Sequence, residues 1–206
     1  MMNWIIFFAV NNINYYVYKL EGKDSIILKN VKKNNLSAII VLEGIITVVK
    51  IFQNREILPL AILDRNHIIG QRKSDEGYYK ITALNNTYLI TLEESLLYQN
   101  QIKNSNKINI PKNYKKTLEK YEETIQIIKQ KNTKNRITLF ILFIFLRFGF
   151  VSKHKIVIQL ELTKEYIAAM TGTSVNSVNK ILRKINNITV DTKNKKTTYL
   201  LKIEKL

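Results

Sequence analysis

Apolar positions recur with one period in the first half of the chain and another in the second. Between residues 13 and 91 they fall in short β-branched and aromatic runs, at 15–19, 25–28, 38–42, 45–52, 57–63, 78–84 and 87–92, divided by turn residues. Runs of this length and composition predict strands, and their number predicts an all-β module, a β-roll or a sandwich. Glu43-Gly44 is expected to close a tight hairpin, Gln53-Asn54-Arg55 the next one, and Asn85-Asn86 marks a further turn. Residues 93–112 are polar and Asn-rich, with Pro111 as a helix-start marker. The chain then steps by four and three through Tyr114, Leu118, Tyr121, Ile125 and Ile128, a short a/d seam. Such a seam predicts a long helix over 112–132 that pairs with a copy of itself; the alternative is that the stripe packs on the β-module of its own chain.

A charged link at 129–136 precedes a second helical stretch, 137–148, stopped by Gly149. Ile156, Ile158, Leu160 and Leu162 alternate on one face, so 154–162 reads as a strand. The most specific pattern follows at 162–182, LTKEYIAAMTGTSVNSVNKIL. Counted from Lys164, the fifth residue is small (Ala168), the ninth is Gly172, and the fourth, fifteenth and eighteenth are apolar (Ile167, Val178, Ile181). A small residue allows close helix approach, a glycine can adopt φ > 0 to end the first helix, and the three apolar side chains fill the wedge. Thr163 and Ser174 are expected N-caps, and Leu162 with Ile167 an expected hydrophobic staple. The spacing is that of a helix-turn-helix; an αα-hairpin in an ordinary core is the alternative. Beyond it, 188–190 and 197–201 flank Lys193-Asn194-Lys195-Lys196, which reads as a β-hairpin with a basic tip, a wing.

Charge adds to this pattern unevenly. Of the net +17, residues 1–111 carry +4 and residues 112–206 carry +13, so the excess lies with the helix-turn-helix. A basic half attracts polyanions, through phosphate neutralisation and counterion release. Ile, Lys and Asn account for 82 of the 206 residues, the bias of an AT-rich genome, so basicity alone is weak support for nucleic-acid binding. The absence of cysteine removes disulfides, thiolate nucleophiles and cysteine-based metal sites. His67 and His154 are far apart without metal-ligand spacing and read as surface or turn residues. With six glycines, none forming a phosphate-cradling loop, and no paired acid and base or Ser/His/Asp order, the chain does not read as an enzyme. The apolar runs at 1–10 and 139–146 are far shorter than the ~20 residues a membrane span requires. The first reads as a strand or a docked terminus, with Trp4, Phe7 and Phe8 as a weak peripheral anchor in the alternative.

In this order, β-roll, long helix, strand pair, helix-turn-helix and wing, the chain resembles the Crp/Fnr family of transcription regulators. More narrowly it resembles the nitrogen regulators of cyanobacteria and red-algal plastids. The matching residues are Val41-Leu42-Glu43-Gly44, Arg65-Asn66-His67-Ile68-Ile69-Gly70, the Asn135-Arg136 helix start and 162–182, across about residues 15–201. The resemblance implies an α+β fold: a cyclic-nucleotide-binding-like β-roll at 1–111, a dimerisation helix at 112–132 and a winged helix-turn-helix at 133–206. It also implies a homodimer with the seam Tyr114, Leu118, Tyr121, Ile125 and Ile128, binding double-stranded DNA at plastid promoters, including those of nitrogen-related genes, in contact with RNA polymerase. DNA contacts are expected from Thr163, Thr173, Ser174, Val175, Asn176, Ser177, Asn179, Lys180, Lys195 and Lys196.

Departures from the family qualify these expectations. The second helix usually offers an arginine just after its cap and another five residues later; here Val175 and Lys180 stand there. Losing a bidentate Arg–guanine contact forgoes ~1–3 kcal/mol of discrimination, so altered or relaxed specificity towards A·T-rich sites is expected, with Asn176 and Asn179 available to adenine. Effector contacts are expected at Ile69, Gly70, Gln71, Arg72, Lys73, Lys116 and Thr117. The arginines used elsewhere in the family for 2-oxoglutarate align with Glu76 or Gly77 and with Thr117, and the glutamate of the cyclic AMP cassette with Gln71. A carboxylate opposite a carboxylate is repulsive, so no cofactor is expected; Arg72 and Lys73 are the route by which 2-oxoglutarate could be held. The alternative function is a dimeric binding module of the same fold that has lost promoter specificity.

Overall fold

The computed structural model describes residues 2–28, 37–70, 77–99, 108–152, 155–185, 188–193 and 196–202. The N-terminal half holds α1 (Met2–Val10) and eight strands: β1 (Tyr16–Leu20), β2 (Ser25–Leu28), β3 (Ser37–Glu43), β4 (Ile46–Phe52), β5 (Ile57–Leu63), β6 (Ile68–Gly70), β7 (Gly77–Ala83) and β8 (Thr87–Glu93). They form two antiparallel sheets, ordered β1-β8-β3-β6 and β2-β7-β4-β5. Ile39, Val41 and Leu89 of the first meet Ile46, Val48, Ala61, Leu63 and Ile81 of the second in the interior. The other face of the first sheet is also covered, because Ala38, Ile40, Leu42 and Ile90 pack on Trp4, Phe7 and Phe8 of α1. Burial on both faces is why 38–42 is an unbroken apolar run rather than an alternating one. The run at 1–10 is therefore a docked helix, not a strand, and the aromatics considered as an anchor are inside the protein.

Two of the expected turns do a different job. Glu43-Gly44 joins β3 to β4, which lie in different sheets, and Asn85-Asn86 likewise joins β7 to β8; neither closes a hairpin. The two corners are tied together: Asn85 Oδ1 accepts from Ile45 N at 2.8 Å, and Leu84 N donates to Ile45 O at 2.8 Å. Gly44 is required there, since its φ is +91° and a Cβ would meet Thr87 and Asn86 O. Gln53-Asn54-Arg55 does close a hairpin, between β4 and β5, with Arg55 at φ 67°. The sequence pattern missed the short β6 and a small helix, α2 (Ser95–Gln99).

The long helix is α3 (Ile110–Ile128), capped by Asn109, whose side chain accepts from Lys112 N at 2.8 Å. It is four residues shorter at its C-terminal end than expected because Asn132 caps the next helix, α4 (Thr133–Phe148). Asn135-Arg136 thus lies in the first turn of α4. After Gly149 come β9 (Phe150–Ser152), also missed, β10 (Lys155–Ile158), α5 (Lys164–Thr171), α6 (Val175–Leu182), β11 (Ile188–Lys193) and β12 (Lys196–Lys202). These strands form one sheet ordered β11-β12-β10-β9. One apolar core joins the halves: Val49, Ile62 and Leu84 of the β-roll pack with Ile127 of α3 and with Phe140, Ile144, Ile167 and Val178 of the C-terminal helices. No helix among the described residues is long and apolar enough to cross a membrane.

Candidate nucleic-acid interface

Local sequence explains each end of the α5–α6 pair. Thr163 caps α5 from an extended conformation and accepts from Tyr166 N, and its hydrogen bond to Glu165 holds that carboxyl below its usual range. Leu162 and Ile167 are both fully buried, completing the staple. Gly172 adopts φ 58° and ψ 44°, and Thr173 N returns to Ala168 O at 3.0 Å, so the left-handed residue satisfies carbonyls that α5 leaves open. Inside the turn, the buried Thr171 hydroxyl donates to Ile167 O at 2.6 Å and lies 2.9 Å from that of Thr173. Ser174 then caps α6, accepting from Ser177 N at 3.2 Å.

The two faces of α6 are chemically distinct. Val178 and Leu182 are buried, with Val175, Ile181 and Ile185 packed at the edge of the same core. Asn176, Lys180 and Arg183 are exposed and spaced four and three residues apart, which places them on one outward stripe; Ser177 and Asn179 flank it half-buried. The structure thus brings Thr173, Ser174, Asn176, Ser177, Asn179 and Lys180 to one surface and turns Val175 towards the core. Arg183 and Lys184, both exposed, were not among the expected contacts, although the i, i+4, i+7 spacing from Asn176 places the first of them on the same stripe. The β11–β12 hairpin pairs Lys193 with Lys196 in register; Lys195 and the side chain of Lys196 lie outside the described residues.

The seam residues divide between two environments. Leu118 and Ile125 are 51% and 48% exposed and form an outward apolar strip on α3. Tyr114 and Tyr121 instead pack against their own β-roll, and Thr117, Thr124 and Ile127 are buried on that inner face. Of the expected effector residues, Ile69 is buried in the β-roll core and Lys116 is exposed, while Gln71, Arg72 and Lys73 lie outside the described residues. Thr117 has its hydroxyl committed, accepting from Ile68 N at 3.1 Å and donating to Asn113 O at 3.2 Å. Beside Gly70 stands a carboxylate, Glu94, which accepts the Tyr114 hydroxyl at 2.7 Å; a Cβ on Gly70 would lie 2.8 Å from it. Burial, and then Glu94, push the Tyr114 phenol well above its ordinary value. His67 sits in a turn as expected but is buried, 2.8 Å from Asp64, and no cluster of metal-ligating side chains occurs among the described residues. His154 lies outside them.

No family model matches the chain. It is 25% identical over 195 residues to ycf28 of Porphyra purpurea, which carries the name of an HTH-type transcriptional regulator, covering 88% of this chain and 76% of that one. The fold matches a mutant of CooA from Carboxydothermus hydrogenoformans with TM-score 0.69 at 20% identity, over 94% of this chain and 85% of that one. It matches FixK2 from Bradyrhizobium japonicum with TM-score 0.67 at 11% identity, over 93% and 94%. A CRP/FNR-family transcriptional regulator from Thermus thermophilus matches with TM-score 0.63 at 17% identity, over 90% and 93%.

Proposed function

We propose that this chain, which shares the fold of the Crp/Fnr regulators, is a sequence-specific DNA-binding transcription regulator acting as a homodimer. Its β11–β12 hairpin is the wing of a winged helix-turn-helix, and α6 is the helix that enters the major groove. The observation that carries this reading is the outward stripe Asn176, Lys180 and Arg183, set on a helix whose other face is fixed in the core, within the half of the chain bearing +13. The exposed Leu118–Ile125 strip on α3 supports the homodimer. The red-algal relative and the Ile/Lys/Asn bias support action at plastid promoters, nitrogen-related genes among them, with RNA polymerase as the partner that such regulators address.

Base reading on this surface falls to amides rather than guanidinium groups near the helix start. Asn pairs bidentately with adenine, so A·T-rich half-sites are expected from Asn176 and Asn179. The committed Thr117 hydroxyl and the Glu94 carboxylate support a β-roll that works without 2-oxoglutarate or cyclic AMP. Calorimetry with 2-oxoglutarate is expected to give no heat of binding; millimolar or tighter binding would overturn that part. The DNA reading is tested by gel shift against plastid promoter fragments across a salt series. A specific binder keeps its preference as salt rises, and Lys180→Ala should flatten the salt slope by about one unit. The half-burial of Val175 favours a second reading, a dimeric module with relaxed specificity; its signature is that all fragments lose affinity along one slope.

A further inference from the structure

The C-terminal helices are held on the β-roll by more than the shared core. Arg147, in the last turn of α4, points its guanidinium at the end of β5: Nη1 donates to Ile62 O at 2.9 Å and Nη2 to Asp64 Oδ2 at 2.9 Å. Glu123 of α3 lies 3.9 Å from Nη1, and the rings of Phe148 and Phe143 flank the guanidinium at 4.8 and 5.7 Å. Its side chain is 13% exposed, so these contacts are not the loose pairs of a protein surface. A second point lies at the entrance to α5. Glu161 N donates to Leu84 O at 2.6 Å, and its carboxylate meets Lys23 Nζ at 3.1 Å. Gly22 makes room for it, since a Cβ there would fall 2.6 Å from Glu161 Cγ.

The α6 stripe stays exposed while both points are closed, so docking does not mask the surface that reads DNA. A fixed angle between α6 and α3 has a different use. Two copies related by a two-fold axis can meet two half-sites together only if both reading helices are held at the matching separation, and a loosely tethered unit spends binding energy on being ordered. We infer that Arg147 is a positioning residue: with Glu161 it presets the orientation of α6 on the β-roll for binding two half-sites at once. This rests on the DNA-binding reading above.

The test uses full-length protein and two duplexes: an inverted repeat recovered by the wild-type chain from random DNA, and the same repeat with one half scrambled. Arg147→Met should weaken binding to the repeat about tenfold while half-site affinity stays within about twofold. Arg147→Lys, which keeps the charge but not the fork, should fall between. Asp64→Asn should reproduce the loss, and the double variant should add little to either single one. Equal loss on both duplexes, or none on either, overturns the inference. Amide hydrogen exchange on the same proteins separates this from failure of the DNA reading. Arg147→Met should speed exchange at Glu161 N and leave Thr173 N protected, and an unchanged Glu161 N sinks the clasp whatever the DNA result.

Discussion

Gly172 sets the bend between α5 and α6 from a left-handed backbone, and nothing lies within 4 Å of where its Cβ would be. The strain of a side chain there is purely conformational, so Gly172→Ala should cost ~1–2 kcal/mol in urea denaturation and Gly172→Asn clearly less. This residue, Thr163 and Ser174 were legible because caps and turns obey rules spanning a few positions. The Asp64–Arg147 pair was not, since its members are 83 residues apart. Burial pushes the Asp64 carboxyl up, but hydrogen bonding from His67 and the charge of Arg147 outweigh it and leave it below the ordinary 3.8. A carboxyl with a lowered folded-state pKa stabilises the fold above its unfolded value, and this contribution disappears as pH falls through the folded one. Asp64→Asn should therefore be less stable than the parent at neutral pH, with the gap closing below pH 3.8 in a denaturation series.

Among the elements, the positions of the longer strands followed from period and composition, whereas those of the three-residue β6 and β9, and sheet membership, did not. A two-residue link rich in Gly and Asn looks alike whether its strands pair or pass to opposite sheets, as Glu43-Gly44 and Asn85-Asn86 do. What decides is the covering of both faces of the first sheet, a long-range property. The N-terminal run was ambiguous for the same reason: it is apolar nearly all round, so neither period stands out. Its cost of removal is predictable once it is seen as a helix. Phe8 is fully buried, with Trp4 and Tyr15 rings at 5.7 and 5.0 Å, so Phe8→Ala should destabilise by about 3–5 kcal/mol in the same denaturation assay.

For the molecule as a whole, the seam was read as one stripe and turned out to be two. Tyr114 and Tyr121 hold α3 to the β-roll, while Leu118 and Ile125 face outward. Leu118→Glu should shift the chain towards monomer in analytical ultracentrifugation while changing the unfolding of the monomer by no more than ~0.5 kcal/mol. An unchanged association state would count against pairing through α3. Trp4, whose indole N–H donates to Asn66 Oδ1 at 3.0 Å, adds a property of another kind. It is the chain's single tryptophan, and it lies beneath the first sheet, whereas the C-terminal half holds tyrosines and phenylalanines but no tryptophan. Fluorescence excited to the red of tyrosine is thus a private signal from the N-terminal half. Far-ultraviolet ellipticity at the same denaturant concentrations samples both halves, so a separation of the two curves would show that the two halves unfold at different denaturant concentrations.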